Sequence, residues 1–123
     1  MALPTDDDVI LLLHNARCSK SRAALAILEK RGISFEERRY LENPLSREEL
    51  EDLAQRLGRP VREWTRQGEG AFAAAGVSER SGDGAWFDAI AKSPILMERP
   101  IVVRGGRAII GRPPTDVLEL LDD

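Results

Sequence analysis

Five consecutive apolar residues, Val9 to Leu13 (VILLL), stand between the acidic triplet Asp6-Asp7-Asp8 and His14. An apolar run of strand length with no polar alternation offers no face to water, so a strand built from it has to be covered on both sides. That requirement points to an α/β arrangement, with helices packed above and below a sheet. The run is far shorter than the ~20 residues that cross a bilayer, and the acidic residues ahead of it oppose a secretory signal. A cytoplasmic protein with no membrane partner is the expectation.

Downstream, strand and helix signals alternate. After the loop Asn15 to Cys18, the residues Ala23, Leu25, Ala26, Ile27 and Leu28 mark a helix that stops at Gly32, a residue suited to a left-handed terminus. Phe35 to Tyr40 reads as a second, more exposed strand. Strand, helix and strand within about forty residues make the length of a right-handed crossover with two parallel strands. Ser46 and Glu49 form a capping box, and Leu50, Leu53, Ala54 and Leu57 give the apolar stripe of the helix it starts, which Gly58 and Pro60 end. Gly68, Gly70 and Gly76 interrupt short helical pieces before Trp86 to Ala91 resumes an amphipathic pattern. Pro44 to Met97 is therefore expected to be a helical insertion, about residues 44–97, with Trp64 and Trp86 in its core. Ile101 to Val103 and Ala108 to Ile110 flank Gly105-Gly106, a two-residue hairpin signal, and Pro114 to Leu121 predicts a closing helix. This element order is that of a thioredoxin-like mixed sheet with an inserted helical subdomain, and 123 residues suit one domain, 1–123.

The chain carries 32% charged residues with a net charge of −3 and no dense basic block, which disfavours nucleic acid as a partner. One cysteine and one histidine exclude a disulfide framework and the usual zinc sites, so no metal is expected. The lone cysteine, Cys18, cannot form a disulfide within its own chain, and any redox chemistry it performs borrows a second thiol from outside. Cys18 falls where a strand gives way to a helix, and the free N–H groups and positive dipole end of that helix favour a thiolate. Ser19 and Ser21 are candidate donors to the anion, and His14 or an arginine is a candidate source of positive charge. The bland alternative is a small buried hydrophobe. There are 15 arginines among the 18 basic residues, so a surface role is the default for Arg31, Arg38, Arg47, Arg56, Arg59 and Arg80. Arg99 and Arg112 differ in flanking the last two strands, where a planar guanidinium fork can face a site and grip an oxyanion bidentately.

The segments HNARCSKSR, VREWTR, ILMERPIVV and IIGRPP resemble, in order and spacing, the motifs of the glutaredoxin-like arsenate reductase family, from about Ile10 to Leu121. The resemblance implies a glutaredoxin-like variant of the thioredoxin fold. It matches Cys18 to the catalytic cysteine, and His14, Asn15, Ser21 and Arg22 to the residues framing it. Arg66, Arg99 and Arg112 match the arginines around the oxyanion, and Pro100 a cis proline beside the site. Ala16 departs from the family, standing where a proline is common. The implied reaction reduces arsenate to arsenite with no bound cofactor: glutathione is the co-substrate and glutaredoxin the partner that removes it. Two other readings stay open: a glutathione-dependent thiol oxidoreductase with a different substrate, and a non-enzymatic redox-regulatory binding protein of the same fold. The regulators use a paired CxxC, whereas CSKS here puts Ser21 in the second place.

Overall fold

The computed structural model describes residues 3–121. At its centre is strand β1 (Ile10–His14), every residue of which is buried. It sits inside a four-stranded sheet of order β2-β1-β3-β4, where β2 is Glu36–Arg39, β3 is Ile101–Arg104 and β4 is Arg107–Ile110. β1 runs parallel to β2, pairing Leu13 with Arg38 and His14 with Arg39. It runs antiparallel to β3, pairing Leu13 with Ile101. β3 and β4 form the hairpin that the two glycines predict, and Gly105 takes a φ of +57°.

The two faces of β1 explain its uninterrupted apolar sequence. Ile10 and Leu12 pack with Val102 against Ala24 and Leu28 of helix α1 (Ser19–Lys30) and against Val117 and Leu120. Leu11 and Leu13 pack with Ile101 and Val103 against the helical segment that joins β2 to β3. That segment comprises α2 (Arg47–Leu57), a 3-10 turn Val61–Trp64, α3 (Gly70–Ala75), α4 (Asp83–Lys92) and a second 3-10 turn Pro94–Leu96. Trp64 and Trp86 are buried in it, and Phe72 and Arg62 each stack near the Trp86 ring at 5.3 Å. Among the described residues no helix is long and apolar enough to cross a membrane. The segment Pro114 to Leu121, expected as one helix, is a 3-10 turn Pro114–Val117 followed by the single turn α5 (Leu118–Leu121). Its buried residues, Val117 in the 3-10 turn and Leu120 in α5, pack together on the sheet.

Two arginines expected at the surface are buried instead. Arg38 lies on β2 with its side chain on the insertion side, where a charge needs a partner. Its guanidinium donates to both carboxylate oxygens of Glu49, at 2.6 and 3.0 Å, and to the carbonyls of Asn43 and Pro44. The same Glu49 completes the capping box of α2, accepting from the Ser46 N–H while Ser46 Oγ accepts from its own N–H. One carboxylate thus fixes the start of α2 and docks it on the sheet edge. Arg56 pairs with Asp52 and reaches the carbonyls of Pro4 and Gly105. Both departures arise from tertiary pairing between distant segments, which residue type alone does not encode.

Glu49→Gln keeps the shape but leaves the Arg38 charge buried without its counter-ion, and is expected to destabilise the fold by about 3 kcal/mol in urea unfolding at pH 7. Burial works to raise the Glu49 pKa, but Arg38 and the Ser46 N–H outweigh it and hold the carboxyl below its ordinary value. A depressed folded pKa stabilises fully above the unfolded value of about 4.3, and that stabilisation fades as pH falls through the folded value. The wild-type and Glu49→Gln unfolding curves should therefore converge in that acid range.

Candidate active site

Where β1 ends, a tight turn carries the chain into α1. The Cys18 N–H donates to the Asn15 carbonyl at 3.0 Å, the Asn15 side-chain oxygen accepts from the Arg17 N–H at 3.0 Å, and the Arg22 guanidinium donates to the Ala16 carbonyl at 3.0 Å. These bonds pin the turn with alanine at position 16. Ser21 is fully buried, and its hydroxyl oxygen accepts from the Asn15 N–H at 3.0 Å and lies 2.7 Å from His14 Nδ1. The Ser21 hydroxyl is therefore committed to the strand end, whereas the sequence suggests it as a donor to the thiolate. Ser21 faces Cys18 through its backbone N–H instead. His14 is also buried, and burial foremost lowers its pKa; Glu37 opposes the shift, and the charges of Arg39 and Arg22 add to it. The shift disfavours the charged imidazolium.

Cys18 is the N-cap residue of α1 and partly exposed. Burial works to raise its pKa, but the Ser21 N–H, the Arg99 side chain and the Lys20 N–H outweigh it, so the thiol titrates below its ordinary value. The cation beside the thiol is thus Arg99. Among the described residues, the buried side-chain polar atoms without a hydrogen-bond partner are Arg99 Nε and Nη1, the Tyr40 hydroxyl and Trp86 Nε1. Sequence reasoning leaves Tyr40 as nothing more than a strand end. Tyr40 follows Arg39, the β2 partner of His14, and its phenol lies close enough to Arg99, Asn15 and Cys18 to feel all three. Tyr40 is 1% exposed, and its pKa is pushed up to about 12, foremost by burial, against the charge of Arg99. Its only sequence signal is one step of parallel register past a strand.

Arg66 and Arg112 are arranged differently from Arg99. Glu98 Oε1 lies 3.2 Å from Arg112 Nη1 and 3.7 Å from Arg66 Nε, and Arg66 also pairs with Glu69. The three arginines are therefore linked, since Arg112 Nη1 also donates to the Arg99 carbonyl at 3.3 Å, but neither Arg66 nor Arg112 is hydrogen-bonded to Cys18. Glu98 and Glu69 are absent from the sequence-based site, although Glu98 lies within the motif that contains Arg99. The two arginines and two carboxylates line a cleft of about 420 Å³ with Thr65, Gln67 and Gly68. The insertion is stitched to this edge by an isolated bridge between Thr65 and Met97 and by bonds from Arg66 N–H to the Leu96 carbonyl and Glu98 N–H to the Trp64 carbonyl. The Arg99-Pro100 peptide is cis, as is Arg112-Pro113. Gly111 N–H donates to the Pro100 carbonyl at 2.8 Å, and a Cβ on Gly111 would lie 2.9 Å from Pro100 Cγ and Val117 Cγ1.

A mixed sheet with β1 central, a single cysteine heading α1 and an arginine against that thiol define a thioredoxin-like α/β protein with a one-cysteine site. Residues 13–120 match the ArsC family, and the chain belongs to that family. It is 43% identical over 106 residues to the arsenate reductase of Neisseria meningitidis serogroup B, covering 85% of this chain and 91% of that one. It is 42% identical over 114 residues to the uncharacterized protein YfgD of Escherichia coli K12, covering 91% and 96%. Among solved structures, an arsenate reductase from Vibrio cholerae superposes with a TM-score of 0.87 at 44% identity, covering 91% of this chain and 97% of that one.

One cysteine and one tyrosine in the chain make both groups readable without ambiguity. The rate of Cys18 alkylation should rise with a midpoint below about 8.5, the ordinary thiol value, and tyrosinate absorbance should stay absent at pH 10, where a free phenol is about half ionised.

Proposed function

We propose that the chain is an arsenate reductase in which Cys18 is the nucleophile and glutathione, with glutaredoxin, supplies the electrons. The observation that carries this reading is a thiol with a lowered pKa beside a guanidinium that has two buried, uncommitted N–H groups. A buried donor without a partner is costly, and an oxyanion on Arg99 removes that cost. The names of the relatives at about 40% identity support the choice of arsenate.

In the first step the Cys18 thiolate attacks arsenic, an S–As bond forms, and one arsenate oxygen leaves as water after taking up protons. Arsenic is still pentavalent at this point. Arg99 stabilises the charge on the remaining oxygens, with Arg66 and Arg112 in supporting positions, because fixed donors aimed at developing charge act without reorganising. His14, Asn15 and Ser21 hold the turn, and Pro100 follows Arg99 at the strand entry. A glutathione thiol then joins arsenic with loss of a second water, and a glutaredoxin thiol takes the glutathione sulfur as a mixed disulfide. The two sulfurs lose the two electrons that arsenic gains, and water releases arsenite from Cys18. One cysteine in the chain requires at least one reducing sulfur to come from outside; this route takes both from there, and a reducing cytoplasm is the setting it expects.

A regulator with a CxxC switch fits less well, because the second position is Ser21 and its hydroxyl is already engaged. The test is NADPH oxidation coupled through glutathione reductase, with glutathione and glutaredoxin present, with and without arsenate. Cys18→Ser should abolish arsenate-dependent oxidation. Arg99→Lys keeps the charge but loses the fork, and should lower kcat/KM for arsenate about ten- to a hundredfold, while alkylation of Cys18 by neutral iodoacetamide changes far less. An enzyme without arsenate-dependent turnover in this assay would overturn the reading.

A further inference from the structure

Glu98 places one carboxylate oxygen between the two arginines that the reductase reading reserves for the substrate, 3.2 Å from Arg112 Nη1 and 3.7 Å from Arg66 Nε. A carboxylate and one edge of a tetrahedral oxyanion offer the same chemistry to a guanidinium, two oxygens sharing negative charge. We propose that Glu98 is a built-in competitor for the oxyanion, a specificity-determining carboxylate that a doubly charged tetrahedral anion displaces and a singly charged one does not. The inference rests on the reading of this site as an oxyanion site.

Contrast with the other internal carboxylate pair supports displacement. Glu49 grips Arg38 through both oxygens, with the two side chains only 5% and 8% exposed, and cannot leave without unfolding the start of α2. Glu98 uses one oxygen, and its side chain and that of Arg112 are 27% and 31% exposed, so water screens the pair and can take up the released carboxylate. Only the side chain has to swing, because the Glu98 N–H is fixed to the Trp64 carbonyl at 2.9 Å and the adjacent Met97 is bridged to Thr65. Arg66 keeps Glu69 as a partner when Glu98 moves. The charge balance explains the selectivity. Three arginines against Glu69 and Glu98 leave one net positive charge, which the Cys18 thiolate cancels. An incoming anion therefore replaces a carboxylate of charge −1 in a near-neutral site, and only a higher charge gains by the exchange.

The experiment measures the anion concentration that half-protects Cys18 from iodoacetamide, in wild type and in Glu98→Gln, using arsenate and the singly charged tetrahedral perchlorate. Glu98→Gln keeps the size and the backbone bond, and circular dichroism verifies its fold. The variant is expected to need about tenfold less arsenate. Perchlorate is expected to protect the variant and to leave the wild type unprotected. In turnover, KM for arsenate should fall without a rise in kcat, a change that structural damage does not produce. An unchanged or higher half-protecting concentration would show that Glu98 positions the arginines and does not compete, and perchlorate protecting wild type as well as arsenate does would remove the charge selection. Arsenate protecting neither protein overturns the proposal as well. Protection in both proteins with the tenfold shift but without turnover leaves Glu98 as the competitor and removes the reductase reading instead.

Discussion

The Ser21 hydroxyl joins the end of the central strand to the start of the first helix, and the site depends on that joint. It takes the Asn15 N–H, the first donor past β1, and meets His14, the last residue of β1. All three residues are buried, where hydrogen bonds gain strength from the low dielectric and unmet groups are costly. With this joint made, α1 begins in one direction only, and the amides of Lys20 and Ser21 point at Cys18. The thiol's acidity is therefore a product of backbone direction as much as of the nearby arginine.

The arginines show how burial and partner separate residues of one type. Arg38 and Arg56 are internal fasteners, one binding α2 to the sheet edge and the other binding α2 to the hairpin and the chain start. Arg66 and Arg112 are half-screened and shared among carboxylates. Among the described residues, Arg99 is the arginine with buried donor atoms, Nε and Nη1, that have no partner. Arginine keeps its charge even when buried, so a protein rich in arginine and poor in lysine can place fixed charges inside a small fold.

Much of the architecture was legible in local sequence because local physics determines it. The VILLL run, the Ser46–Glu49 capping box and the paired glycines of the hairpin each act within a few residues, and each appears where expected. The closing segment departs from the single helix expected because helical periodicity does not separate a 3-10 turn from an α-helix over eight residues. At the site, the turn around Cys18 was visible as a strand-to-helix junction. Tyr40 was not, because its place beside Asn15 follows from pairing two strands more than twenty residues apart. Nor were Glu98 and Glu69, since a carboxylate acquires meaning only when the fold sets an arginine opposite it. The burial of His14 was hidden for a related reason: it depends on layers contributed by the whole chain.

Gly111 sits where the strand entry and the strand exit of the site touch. Its amide holds the Pro100 carbonyl, its missing side chain leaves room for Pro100 and Val117, and its neighbour Arg112 reaches back to the Arg99 carbonyl. Arg99 and Arg112 thus take their positions from a single seam of the sheet. Arg66 arrives on a separate helical segment, joined to that seam by core packing and a few backbone bonds but not part of the sheet. Sequence drift in chains of this build is accordingly unequal in its consequences: the insertion can be lengthened or reshaped while two of the three arginines keep their spacing, whereas any side chain added at position 111 pushes on both at once.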